Sequence, residues 1–298
     1  MNSIELDSVH KFFGDRHAVQ NLSLAVPEGS VYGFLGPNGA GKTSTIRMIM
    51  SILYPDSGTL SVLGDMSPER VKDRLGYLPE EKGLYQKMKV IELITYFGRL
   101  KGLSKSEANL RATRLLDRFE LSGSRNQRCE GLSKGMGQKV QIISTIIHEP
   151  EVVILDEPFS GLDPINVEMV RHLILELRQQ GRTVIFSTHI MEQAEQICDH
   201  ILLINAGQKL LDGSIQTIKQ QFDDTINVEF QGDPSHFQIE GVTRVNNMGR
   251  NAELSIDAST DKQQILRTLM DKLEITSFSV KEPSLHEIFV RTVGEHQT

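Results

Sequence analysis

The sequence predicts an α/β protein in which a mainly parallel sheet is followed by a smaller α+β module. Three observations carry that expectation. The first is a glycine-rich stretch, Gly36-Pro37-Asn38-Gly39-Ala40-Gly41-Lys42-Thr43-Ser44, between an apolar segment at 30–35 and a breaker-free segment at 45–50. The second is an unbroken apolar run, Val152-Val153-Ile154-Leu155, ending in Asp156-Glu157. Such runs read as strands buried on both faces of a parallel sheet. The third is a change of texture after Gly213, where long apolar runs give way to short alternating ones.

At 298 residues the chain has room for one large domain and a small one. The expected division is 1–213, with a helical part at about 88–148, and 214–298. Charged residues make up 24% and hydrophobic ones 39%, an ordinary globular balance. A net charge of −7 argues against nucleic acid as a main partner, which a basic face would serve better. Cys129 and Cys198 are the only cysteines; they could pair, but a reduced compartment is the simpler reading. No stretch approaches the ~20 apolar residues that cross a bilayer. The first residues, Met1-Asn2-Ser3-Ile4-Glu5, lack the basic and apolar regions of a signal peptide. The chain is therefore expected neither to cross nor to enter a membrane.

In order along the chain, Ile4 and Leu6, then Leu22, Leu24 and Val26, fall on period two and predict paired strands. Gly14-Asp15 and Pro27-Glu28-Gly29 punctuate them. The segment 30–35 is a buried strand and 45–50 starts a helix, closed by Tyr54-Pro55-Asp56-Ser57-Gly58. A strand follows at 59–63. From about Val90 to Ile147 the pattern is helical. There Ser104 and Glu107 form a capping box, with Ala108, Ala112, Leu115 and Phe119 on one face. After the 152–155 strand, Asp163-Pro164 opens a helix and Gly181 closes it. Buried strands at 182–188 and 201–204 complete the alternation. In such sheets ligands sit beyond the carboxyl ends of the strands, where Lys42, Asp156, Glu157 and His189 fall. The last module should contain strands near 225–230, 253–256 and 277–280. Helices are expected near 262–272 and 283–293, the second with Pro283 in its first turn.

The glycine stretch between strand and helix is a phosphate-binding loop. A triphosphate is dense in charge, and backbone N–H groups at a helix N-terminus can meet it. Gly36, Gly39 and Gly41 let the backbone approach where a Cβ would collide. Lys42 brings a positive charge to the β- and γ-phosphates, and the Thr43 hydroxyl is a hard ligand for Mg²⁺. Asp156, closing a buried strand, suits Mg²⁺ directly or through water. Glu157 would face a water attacking the γ-phosphate as general base; its other reading is a surface turn residue. His189 fits either a γ-phosphate contact or a satisfied core histidine. Of Phe12 and Phe13, one could stack on a purine, or both could be core. Upstream, Leu132-Ser133-Lys134-Gly135-Met136 begins a helix and makes a second anion-binding terminus. Two phosphate-binding elements in one chain suggest a head-to-tail dimer, each copy closing over the other's nucleotide.

In combination and order, these stretches resemble the ATP-binding subunit of ABC transporters over roughly 4–212. Residues 36–44 resemble the Walker A motif and 152–157 the Walker B. Residues 132–136 look like the signature motif, Ser160-Gly161-Leu162-Asp163 the D-loop, and His189 the switch histidine. Phe13 matches the adenine-stacking aromatic, and Glu80 stands at the Q-loop position, where the family usually has glutamine. The signature differs at Lys134 and Met136. With the C-terminal Pro283-Ser284-Leu285-His286-Glu287-Ile288-Phe289, these variants look like the branch associated with drug, antibiotic or sodium export.

The resemblance implies a P-loop NTPase cassette with a parallel core, an antiparallel β edge and a helical subdomain. It implies ATP and Mg²⁺, with Thr43, Asp156 and Glu80 as metal-side residues. Pro37, Asn38, Ala40, Ser44, Ser133, Gly135 and Asp163 join Phe13, Lys42 and the loop glycines around the nucleotide. It also implies a second ATP-binding subunit and a membrane permease, touched near 84–100, with the chain on the cytoplasmic face of the membrane. A second reading is a soluble ABC-type ATPase acting on nucleic acid or ribosomes. The long coiled coils or paired cassettes of those members are not in the sequence.

Overall fold

Two long strands open the chain: β1 (Asn2–Phe13) and β2 (Arg16–Pro27), antiparallel about Gly14-Asp15. Ile4 stands opposite Val26 and Leu6 opposite Leu24, so the alternating apolar side chains share one buried face. The computed structural model describes residues 1–80, 83–222, 224–256 and 260–295. Next come β3 (Val31–Leu35), buried at all five positions, and α1 (Lys42–Ile49). Burying a large apolar side chain contributes about 1.5–3 kcal/mol, so β3 anchors the loop that follows it. β4 (Ser57–Val62) pairs with the free edge of β1, giving an antiparallel sheet ordered β2-β1-β4.

α1 ends at Ile49, earlier than the Tyr54-Pro55 signal suggested. Ser51 takes a left-handed φ of 49°, and the Ile52 and Leu53 amides both turn back to the Arg47 carbonyl. The chain has left the helix before the proline is reached.

β5 (Leu75–Leu78) leads to α2 (Val90–Leu100), α3 (Lys105–Arg118) and α4 (Lys134–Ile146). The expected helical stretch is thus three helices. Gly102, at φ 90°, breaks the first pair, and Ser104 caps α3 by accepting from the Glu107 amide. The Glu107 carboxylate accepts from Arg111 at 2.6 Å. Ala108, Ala112, Leu116 and Phe119 are buried, while Leu115 is only half-buried, so the apolar face lies partly turned from the one expected.

β6 (Val152–Leu155), α5 (Pro164–Gln179), β7 (Thr183–Thr188), α6 (Met191–Ile197), β8 (His200–Asn205) and β9 (Gln208–Ser214) complete the first unit. The second sheet runs β5-β6-β7-β3-β8-β9, with parallel pairing from β5 through β8. β8 and β9 are joined by Ala206-Gly207, both at positive φ as a two-residue hairpin turn requires. Tyr32, Phe34, Ile46, Ile154 and Ile185 join the β1–β2 residues in one buried core. Cys129 and Cys198 are both free thiols, so they do not pair.

The chain divides into two compact units, Met1–Gly213 and Ser214–Thr298. The second holds α7 (Ile215–Lys219), β10 (Thr225–Gln231), β11 (Val242–Asn247), β12 (Asn251–Ile256), α8 (Lys262–Met270), β13 (Glu274–Lys281) and α9 (Leu285–Glu295). Its antiparallel sheet is ordered β11-β12-β10-β13, and Val228, Leu254, Ile265 and Leu269 pack in its core. β11 was not foreseen because five of its six residues are exposed and leave no apolar face to read. Pro283 lies before α9 and not in its first turn. Ser284 accepts from the Glu287 amide, and the Glu287 carboxylate accepts from the Ser284 amide, a reciprocal cap that starts the helix at Leu285. Among the described residues, no helix is long and apolar enough to cross a membrane.

Candidate functional site

The carboxyl end of β3 turns directly into the glycine loop. Gly36 has φ 149° and Gly41 φ 112°, and a Cβ on Gly41 would stand 2.6 Å from the Ala18 carbonyl oxygen. Only glycine fits that approach. Gly41 is also the N-cap of α1 and provides no side-chain cap, so the first turn faces the loop's hollow with backbone alone. Lys42 is 5% exposed, and its Nζ donates to the Gly36 carbonyl at 2.7 Å and the Pro37 carbonyl at 3.2 Å. Burial pushes the ammonium below its ordinary pKa, while Glu157 and Asp156 pull it back up.

β6 carries the two carboxylates to the same place. Asp156 is 1% exposed; its Oδ1 accepts from Ser187 Oγ at 2.5 Å and Thr43 Oγ1 at 3.3 Å. Its Oδ2 is buried and has no hydrogen-bond partner among the described residues. A buried carboxylate oxygen left over beside a threonine hydroxyl is the hard-oxygen pair that suits Mg²⁺, which takes its remaining ligands from phosphate and water. The residues therefore fit the metal.

Glu157 is 8% exposed, and its left-handed φ of 49° turns the side chain away from that of Asp156. Its amide donates to Ser187 Oγ at 2.9 Å. Its carboxylate stands 3.7 Å from Lys42 Nζ and within 3.1–3.2 Å of His189 Nδ1. Burial removes the surface-turn reading of Glu157. Exposure removes the core reading of His189, whose side chain is half open to solvent just past β7.

An open pocket of about 470 Å³ gathers Phe13, Asn38, Gly39, Ala40, Gly41, Lys42, Thr43, Ser44, Glu80 and Glu157. Neither Phe12 nor Phe13 is core. Phe12 stacks on His17, and Phe13, 47% exposed, borders the pocket. The pocket also holds Arg16, Ala18 and Arg47, which the motifs did not single out. Arg16 begins β2, three residues after Phe13.

Ser133, Gly135 and Asp163 do not line this pocket. Ser133 is exposed and caps α4, its Oγ accepting from the Met136 amide at 3.3 Å. Asp163 caps α5 and also accepts from Asn166 Nδ2 at 2.6 Å. Gly135 lies against that same Asn166 amide group. These residues form a second cluster at the start of α4 and α5, bound to the loop after β6 by a hydrogen bond from Gln138 to the Pro158 carbonyl. Chemically, the first cluster can hold a polyphosphate, a hard cation and a water beside a carboxylate base.

Comparison with known proteins agrees with this chemistry. The family model described as ABC transporter matches residues 19–160, and that of the ATP-binding protein DrrA1-3-like C-terminal domain matches 213–293. The uncharacterized ABC transporter ATP-binding protein YhaQ of Bacillus subtilis (strain 168) is 40% identical, covering 98% of each chain. The Nod factor export ATP-binding protein I of Cupriavidus metallidurans is 38% identical over 70% of each. A solved structure titled as the ATP binding subunit of an ABC transporter superposes with a TM-score of 0.68 at 30% identity, covering 73% of this chain and 92% of its own.

Proposed function

Because the chain belongs to the ATP-binding subunits of ABC transporters, which are ATPases, we propose that it works as one half of a head-to-tail pair that drives an export permease. The observation that carries this reading is the separation of the two clusters. Exposed Ser133 and half-buried Gly135 lie outside the pocket that holds Lys42 and Glu157, so a second subunit would have to bring that helix end to the terminal phosphate.

Within the pocket Phe13 stacks on the adenine, and the loop amides with Lys42 hold the β- and γ-phosphates. Thr43 and Asp156 would hold Mg²⁺, which when bound would neutralise charge on the phosphates. Glu157 takes the proton of the attacking water at its carboxylate. His189 keeps that carboxylate oriented through Nδ1 and meets the γ-phosphate as the pair closes. Glu80, exposed at the pocket edge, carries the state of the γ-phosphate towards the permease.

An apolar groove of about 340 Å³ next to Glu80, lined by Leu78, Leu84, Phe97 and Leu100, supports a permease seat on the α2 face. Such a seat puts the chain on the cytoplasmic face of the membrane. Export follows the printed function of the Nod factor relative. The second compact unit is an accessory domain that braces or regulates the pair.

The test is Glu157→Gln with Mg²⁺ and ATP. Hydrolysis should fall by about 10²–10⁴, the size of a general-base contribution. The variant should then accumulate as a dimer in light scattering. A variant that binds ATP yet stays monomeric at every concentration tested would count against the paired mechanism.

A further inference from the structure

Arg16 carries no role in the motifs, yet it stands at the mouth of the nucleotide pocket. It begins β2, directly after the turn that follows Phe13, and its guanidinium Nη2 donates to the Gly39 carbonyl at 2.7 Å. It lines the pocket together with Phe13 and the loop residues Asn38 to Ser44. Among the described residues, three cationic side chains reach this pocket: Arg16, Lys42 and Arg47. Lys42 is held deep by Gly36 and Glu157, and Arg47 stands beside Tyr77, where its charge favours the phenolate. Arg16 gives one N–H to Gly39. A guanidinium has five donors, fixed in a plane, so Arg16 still has donors to offer at a place fixed by the loop itself.

Resting on the ATPase reading above, we propose that Arg16 is a nucleotide-binding residue that contacts the α/β-diphosphate on the nucleoside side of the loop. The Gly39 hydrogen bond aims it. The loop carbonyl holds one N–H, and the side chain that carries the other donors lines the same pocket as Phe13 and the phosphate loop. A ligand that puts negative oxygens there gains a charge-assisted hydrogen bond at little entropic cost, because the side chain is already placed. Since ATP and ADP both carry the diphosphate, Arg16 strengthens both and does not distinguish them.

Calorimetric titration of the full chain with ATP and with ADP, each with Mg²⁺, tests this. Arg16→Ala should weaken both nucleotides by a similar factor, roughly tenfold, as expected for one charge-assisted hydrogen bond. Arg16→Gln is uncharged and two bonds shorter, so it should lose as much as Arg16→Ala, whereas Arg16→Lys keeps the charge and should lose less. Wild-type affinity in Arg16→Ala would overturn the proposal, and so would a loss in Arg16→Lys as large as in Arg16→Ala, because the charge would then not matter. A loss confined to ATP would also overturn it, by moving the contact to the γ-phosphate. Failure of the wild-type chain to bind either nucleotide would instead sink the ATPase reading, and circular dichroism of each variant separates misfolding from lost contact.

Discussion

The first turns of α1 and α4 are both anion-facing helix ends in the sequence, but the structure builds them differently. α1 starts from Gly41 at φ 112° with no side-chain cap, buried behind β3 and next to Asp156 and Glu157. α4 starts from Ser133, which satisfies its own helix through the Met136 amide and lies exposed. One end is an incomplete cap waiting for phosphate, fixed in the sheet. The other is complete by itself and must exchange its own hydrogen bond for an incoming oxygen. On the proposed paired mechanism, this difference would put binding strength at α1 and leave α4 to engage only when a second subunit presents a nucleotide.

The sharpest way to break this contrast is Lys42→Ala. It removes the buried charge at the α1 end, and ATP affinity should drop by roughly a hundredfold, the ~2–3 kcal/mol of a hydrogen bond to a charged group. Calorimetry with Mg²⁺-ATP reads this directly. The corresponding change at α4 should leave monomer affinity unchanged.

A second effect lies beyond the far end of α4. His148 donates through Nε2 to the Leu75 carbonyl at 3.0 Å, while its Nδ1 is buried without a partner among the described residues. Burial pushes its pKa down from 6.5 to about 4, against the pull of the Leu75 bond. The unfolded chain then binds this proton first, so stability is full above pH 6.5 and is lost as pH falls towards about 4. The full shift corresponds to roughly 3 kcal/mol, and solvent screening of this half-buried ring reduces the expected loss to roughly 2 kcal/mol. Urea midpoints at several pH values should show that slope, and His148→Gln should flatten it.

Ser133→Ala should cost about 1 kcal/mol of stability, the worth of a serine cap. Its larger signature is functional: single-turnover hydrolysis and ATP-dependent pairing should fall while monomer binding persists. If all three stay at wild-type values, α4 is only a capped helix and the contrast with α1 loses its meaning. The smallest change belongs to Glu80→Gln. Nucleotide affinity should stay within about twofold, as for a surface charge near a site, while permease-stimulated turnover shifts. Equal stimulated rates in both forms would remove Glu80 from the coupling route.

Much of the first unit was legible because its signals are local. The strand at 152–155 is apolar without interruption, Asp163-Pro164 is a cap with a first-turn proline, and both become what they spell. β5 was missed because four residues give no period, and it exists through its parallel pairing with β6. β11 was missed for want of a buried face. The end of α1 was misjudged because Pro55 is a louder signal than a left-handed Ser51. In the site, the residue types of the glycine loop and of Asp156, Glu157 and His189 were readable. The left-handed turn at Glu157 and the Arg16 contact with Gly39 were not.

The sequence alone determined which residues can meet phosphate, metal and water, because that chemistry depends on side-chain type and on spacings of a few residues. Tertiary structure decided which of them meet. Lys42, Thr43, Asp156 and His189 are brought together only by the order β6-β7-β3, which aligns three strand ends from distant parts of the chain. The same packing leaves Ser133 outside the pocket, because α4 starts beyond the carboxyl ends that frame it. Hydrogen-bond ladders and buried contacts between far-separated segments set such distances, and no local pattern encodes them.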